Sequence, residues 1–146
     1  MAKTIIIPIN KILPGDLPRE LSWRQLHGQY YFDKPLNPDE YISYQDGVKI
    51  LSFLKEDSIG KTPSVVTVEV NNEAFYMTTN ATHRLAYFFK IMPDALVEIA
   101  IDDSPFNKFT AQMIRDDIQL PKTMQEFVQV ADNYLNNGEN DEIELK

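Results

Sequence analysis

The chain has 146 residues, 43% of them hydrophobic, with no cysteine and a net charge of −8 from 14 basic and 22 acidic residues. That is one domain's length with enough apolar material for its own core, and without cysteine it has no disulfide, thiolate metal site or thiol nucleophile. The charge disfavours broad attraction to nucleic acid or anionic lipid. No apolar run approaches the roughly 20 residues of a membrane span, and no secretory signal is visible, so a cytoplasmic protein is expected.

The charge is unevenly spread. Residues 1 to 91 carry ten acids and ten bases, whereas residues 92 to 146 carry twelve acids and four bases. The acidic excess is therefore C-terminal, and the first part of the chain is free to form an anion site.

The elements predict a mixed α+β domain. Lys3 to Ile9 is a β-branched run of strand length, and Pro14-Gly15-Asp16 closes it with turn chemistry. Pro18 to His27 reads as a short helix, and Gln29 to Leu36 as an aromatic-rich irregular stretch or brief strand. Asn37-Pro38-Asp39-Glu40 combines a capping side chain, a first-turn proline and acids, which predicts a helix to about Lys55, with Gly60 marking its end.

Pro63 to Val70 and Glu73 to Thr78 read as two strands of a hairpin turning at Asn71-Asn72. Apolar positions 81, 85, 88, 89 and 92 then predict a helix with Thr79 or Asn80 as its cap. Ala95 to Ile101 is another strand, Ser104-Pro105 opens a helix carrying Phe106, Phe109 and Met113, and Thr123 to Glu126 is a capping box for a last helix. The domain is expected over 1–136, with a core over 4–101, a helical extension over 104–136 and an acidic flexible tail over 137–146.

The chemistry concentrates in Thr78 to Tyr87, where hydroxyls, His83 and Arg84 fall in the first turn of a helix that directly follows a strand. A helix N-terminus presents unpaired N–H groups and positive dipole, and an arginine adds a bidentate fork, so this pattern suits a phosphate. Thr82 and His83 can donate further hydrogen bonds. Asp16 is either a turn aspartate or a base, and Arg19 either a solvated helix-opening residue or a phosphate ligand. His27 and His83 stand 56 positions apart with no carboxylate cluster at ligand spacing, so no metal site is expected. Asp102-Asp103 and Asp116-Asp117 read as solvated acids beside helix ends. Trp23, Tyr30, Tyr31 and Phe32 suit a core or a partner contact better than base stacking, because few basic residues surround them.

The opening Ile5-Ile6-Ile7-Pro8-Ile9-Asn10-Lys11-Ile12-Leu13-Pro14, the Pro-Ser-Val-Val-Thr-Val strand, the hairpin return, the Asn-Ala-Thr-His-Arg-Leu-Ala helix start and the Ala95 to Ile101 strand together resemble the ParB/sulfiredoxin superfamily over about residues 4 to 101. In that family a strand, a helix, a hairpin and a motif of the type Asp-Gly-x-His-Arg-x-x-Ala follow one another. The resemblance implies a ParB/sulfiredoxin-like fold and a nucleotide or other phosphate ligand, ATP or CTP with Mg²⁺, held by the motif helix. Members act as CTP-dependent partition clamps, ATP-dependent sulfinic acid reductases, free-serine kinases or nucleases.

Carried over by position, His83 and Arg84 match the His-Arg pair. Asn80 stands where many members have an acid, Ala81 where they have glycine, and Thr82 where sulfiredoxins have their reactive cysteine. Sulfiredoxin chemistry is thereby excluded. Ile12-Leu13-Pro14-Gly15-Asp16-Leu17-Pro18-Arg19 resembles, one residue shorter, a family stretch near which kinase-type members place a catalytic acid, which makes Asp16 the candidate base for any phosphoryl transfer or hydrolysis. The expected site is thus Asp16 and His83 for catalysis, with Asn80, Thr82, His83, Arg84 and Arg19 around the ligand. Two alternatives are a non-catalytic acidic module that binds a basic protein partner, and a DNA-binding or nuclease-like relative. The latter is disfavoured by the charge and by the lack of a basic helix-turn-helix.

Overall fold

The computed structural model describes residues 3–28, 36–52, 63–116 and 120–145. The fold is α+β, a curled mixed sheet covered by four helices, and its hub is the strand β7 (Leu96–Ile101). One edge of β7 carries β1 (Lys3–Pro8) antiparallel along its whole length, from Lys3 opposite Ile101 to Pro8 opposite Leu96. The other edge is shared. β4 (Val48–Ser52) runs parallel to it over Leu96 to Glu98, and β5 (Ser64–Val70) runs parallel over Ala100 and Ile101. Three partners on one six-residue strand leave room only if the sheet curls away at both ends.

Beyond β5 lie β6 (Glu73–Thr78), antiparallel, and the two-residue β2 (Ile12–Leu13), parallel to β6. The β5–β6 hairpin turns at Asn71-Asn72 as expected, with both residues at positive φ (54° and 65°). That is the backbone of a two-residue turn whose twist matches the flanking strands. On the far side, β4 pairs with β3 (Ile42–Gln45).

The β3–β4 hairpin occupies the segment expected to be a helix from Asn37 to about Lys55. The start signals act locally: Asn37 Oδ1 accepts the Asp39 N–H at 3.0 Å and Pro38 opens a 3₁₀ turn over Pro38–Tyr41. The helix stops there because Asp46-Gly47 takes φ values of 51° and 78°, the tight hairpin geometry that this dipeptide favours. Ile50 and Leu51, at 2% and 1% exposure, then bury against β7. The expected stretch from Phe53 to Gly60 and the Tyr30 to Phe32 aromatics lie outside the described residues.

The helices are α1 (Glu20–Leu26), α2 (Thr82–Ile91), α3 (Pro105–Arg115) and α4 (Met124–Leu145). α1, α2 and α4 pack on one side of the sheet, where Trp23, Leu85, Phe88, Phe127 and Ala131 meet Ile9, Val65, Val97 and Ile99. Along β5 the neighbours of Val65 point the other way, and Val66 and Val68 join Leu13, Met77 and Ala111 under α3. α3 rests on its small residue Ala111, so Phe106, Phe109 and Met113 face solvent at 76%, 67% and 59% exposure.

Thr123 Oγ1 accepts the Glu126 N–H at 3.1 Å, and the Glu126 carboxylate reaches back to the Lys122 N–H at 2.9 Å, one residue before the position a standard capping box uses. α4 continues to Leu145. No helix among the described residues is long and apolar enough to cross a membrane.

Candidate functional site

The cleft lies between the start of α2 and the turn that leads into α1. α2 is fixed by Leu85, Ala86 and Phe88, all fully buried, and α1 by Trp23 and Leu26. With both helices anchored by their apolar faces, their N-terminal ends and the Gly15-Asp16 turn enclose a cavity of about 530 Å³. Asp16, Arg19, Asn80, Thr82, His83 and Arg84 all line it. Two stretches more than 60 residues apart in sequence therefore converge, and the six residues expected around the ligand line the same cleft.

Each of these side chains has a definite local role. Asp16 and Arg19 form an ion pair, Arg19 Nη1 donating to Asp16 Oδ2 at 2.8 Å, while Asp16 Oδ1 accepts the Leu17 N–H at 2.8 Å. The Arg19 backbone N–H donates to His83 Nε2 at 2.8 Å. An imidazole nitrogen that accepts is unprotonated, so the neutral ring carries its proton on Nδ1. Burial first, and then the neighbouring Arg19 charge, push the His83 pKa down to about 4 against the opposing pull of Asp16. His83 is thus a neutral acceptor near pH 7, with its Nε2 lone pair already used.

Behind the cleft, Thr78 Oγ1 accepts the Gly15 N–H at 2.9 Å and shares a 2.7 Å hydroxyl pair with Thr82 Oγ1. The approach is close: a Cβ on Gly15 would sit 2.2 Å from the Thr78 carbonyl oxygen. Asn80 does not cap α2. Its Oδ1 accepts both the Ser64 N–H at 2.8 Å and the Ser64 hydroxyl at 3.0 Å, tying the β6–α2 link to the start of β5. The cap position falls to Ala81, in the left-handed conformation at φ 58° and ψ 31°. An alanine offers no side-chain acceptor to the first-turn N–H groups, so the positive end of α2 meets the cleft without a side-chain cap.

With His83 neutral, the charged residues lining the cavity among the described residues are Arg19, Arg84 and Asp16, two bases to one acid in a protein of net charge −8. Arg84 is buried to 7% exposure, which holds its guanidinium in a fixed place. Gly15, Ser22, Gln25 and Leu26 also line the cleft and were not singled out in the sequence. Their signal was helical spacing: Arg19, Ser22 and Gln25 recur every three residues along one face of α1. Among the described residues no group of three or more His, Asp or Glu could hold a metal ion.

No family model, no curated protein and no solved structure matches the chain.

Proposed function

We propose that the cleft binds a phosphate-bearing ligand, a nucleotide, in a domain that resembles the ParB/sulfiredoxin superfamily. The observation that carries this reading is the convergence of Arg19 and Arg84 on one cavity at the uncapped N-terminus of α2. Two guanidinium groups supply charge-assisted hydrogen bonds, and the helix end supplies N–H donors and partial positive charge. The cavity falls within the size range of small-molecule sites.

In this reading Arg84 and Arg19 hold the phosphates. His83 positions the Arg19 backbone, because its acceptor lone pair is engaged there and its charge is lost well above pH 4. The Thr78–Thr82 hydroxyl pair supports the floor. Asp16 is the only carboxylate lining the cavity among the described residues, so it is the base for any phosphoryl transfer or hydrolysis, with Mg²⁺ arriving on the nucleotide. An incoming phosphate would compete with Asp16 for Arg19, which would release the carboxylate as the ligand binds.

The test is a thermal-shift series with ATP, ADP, CTP and GTP, with and without Mg²⁺, on the wild type, Arg19→Ala and Arg84→Lys. A ligand at a hundred times its Kd adds about 2.7 kcal/mol to the native state. A shift in the wild type that is reduced in both variants supports the reading. Equal shifts in all three place the ligand elsewhere.

A second reading has its own observation. Phe106, Phe109 and Met113 are exposed along α3, with Asp102 and Asp116 exposed at its two ends. An apolar stripe flanked by acids suits a basic, partly apolar protein partner. Charge reversal at Asp102 and Asp116 together with Phe109→Ser would abolish capture of such a partner and leave nucleotide shifts intact.

A further inference from the structure

Away from the cleft, Phe106, Phe109 and Met113 stand exposed on α3, and their order along the helix follows a pattern. With Asp116 they are spaced three, four and three residues apart, which is the alternation of a and d positions in a two-helix seam. The opposite face of α3 sets Ala111 against the sheet with Val66 and Val68, so the seam points outward.

The charges along this seam are acidic. Asp116 is exposed at its C-terminal end and Asp102 just ahead of the helix, and neither makes an ion pair with a described residue. Asp116 Oδ1 accepts the Gln112 side-chain amide at 3.3 Å and Asp102 Oδ1 the Ser104 N–H at 3.2 Å, so each carboxylate keeps acceptor sites to spare. The bases of α3 lie off the seam: Arg115 Nη1 is turned to the Lys122 carbonyl at 3.1 Å, and Lys108 sits about 100° round the helix from Phe109. These acids also decide what cannot lie there. A second copy of α3 laid parallel would set Asp116 beside Asp116, and one laid antiparallel would bring it towards the other copy's Asp102. Either way acid meets acid, in a chain that already carries a net charge of −8.

We propose that α3 is one half of a two-helix seam, and that its partner is an amphipathic helix of another protein with apolar residues at its own a and d positions and Lys or Arg at both ends. The inference rests on the second reading above, a basic partner at α3, and adds how that partner is recognised. Phe106, Phe109 and Met113 supply the apolar area of the association, while Asp102 and Asp116 select which helix is accepted. From Phe106 to Asp116 the seam is about 15 Å long, so about three turns of partner helix cover it, with the basic residues about ten to fourteen positions apart.

Fluorescence anisotropy of the full chain with labelled synthetic peptides of three heptads tests this. One peptide carries Leu at a and d with Lys at both ends, a second carries Glu at the ends, and a third is the Lys-ended peptide with a central proline that breaks its helix. The wild type should bind the Lys-ended helix about tenfold more tightly than the Glu-ended one at low salt. Asp102→Lys combined with Asp116→Lys should reverse that order, and Phe109→Ser should weaken binding about tenfold or more. All three side chains are exposed, so each variant should melt close to the wild type. An order of affinities that the charge reversal leaves unchanged overturns the proposal. Equally tight binding of the proline-broken peptide overturns the seam and leaves the basic-partner reading standing, whereas a wild type that binds neither Lys-ended peptide overturns both. Sedimentation equilibrium supplies the remaining arm: a wild-type dimer that Phe109→Ser dissolves would make a second copy the occupant and overturn the proposal.

Discussion

His83 and Arg19, 64 residues apart, are joined by one hydrogen bond of 2.8 Å in which the Arg19 backbone N–H donates to the imidazole Nε2. It is the direct tie between the first turn of α2 and the chain entering α1, and it holds only while the ring is unprotonated at that nitrogen. The cleft is therefore coupled to pH through a residue that a motif-based reading would assign to the ligand.

Because the His83 pKa falls from 6.5 to about 4 on folding, the unfolded chain takes up a proton that the folded chain refuses. Its contribution to stability is complete above about pH 6.5 and is lost as the pH falls towards 4, up to about 3 kcal/mol in all. His83→Gln can still offer an oxygen to the Arg19 N–H and cannot titrate. Urea unfolding of both proteins from pH 7 to 4 should give a steeper loss for the wild type, and parallel curves would contradict it. His27 is also lowered by burial, but it is present in both proteins and cancels in the difference.

Ala81 holds a conformation that costs an L-residue with a Cβ and costs glycine nothing, at φ 58°. Ala81→Gly should stabilise the protein by about 1 kcal/mol, a rise of about 3 °C in Tm. The same substitution placed within α2 would destabilise by a similar amount, so the sign of the effect identifies the left-handed cap. A fall in Tm for Ala81→Gly would contradict it.

The two hairpins show what was legible in the chain and what was not. Asn71-Asn72 between alternating strands was read correctly because nothing nearby competed with it. Asp46-Gly47 is an equally strong turn signal, yet Asn37, Pro38 and the acids after them announce a helix nine residues earlier, and the two signals conflict over this segment. The helical signal is real and ends at Tyr41. Tertiary burial decides the rest, since Ile50 and Leu51 gain more from pairing with β7 than a helix could offer there. The lining of the candidate site is legible where a motif is contiguous, from Asn80 to Arg84, and at Asp16 and Arg19. Ser22 and Gln25 carry no motif, and only the packing of α1 turns their face towards the cleft.

Thr78 and Thr82 form a buried relay that fixes the Gly15 turn, since Thr78 Oγ1 takes the Gly15 N–H and faces the Thr82 hydroxyl. Thr78→Val deprives two groups of a partner and should cost about 2 kcal/mol, whereas Thr82→Val deprives one and should cost about 1 kcal/mol. The double variant should cost less than the sum, because the shared hydrogen bond is counted twice. Additive effects in denaturant melts would mean that the hydroxyls act independently.

Asp132 holds the three-helix side of the core together. Its Oδ1 accepts Trp23 Nε1–H of α1 at 2.9 Å and Lys90 Nζ of α2 at 3.0 Å, and Lys90 Nζ also reaches His27 Nε2 at 3.1 Å. Trp23 has no exposed surface, so its indole donor cannot turn to water when its acceptor is removed. Asp132→Ala should cost about 2 kcal/mol or more, while Asp132→Asn keeps the oxygen that accepts both donors, loses only the charge and should cost less. The loss should fall first on α4, which this carboxylate, the Phe127–Ala131 face and the Arg24 Nη2 bond to the Tyr134 carbonyl at 2.7 Å tie to α1 and α2. Amide exchange in Asp132→Ala should therefore accelerate across α4 before it changes in β7, and uniform acceleration across helix and sheet would show that α4 does not open separately.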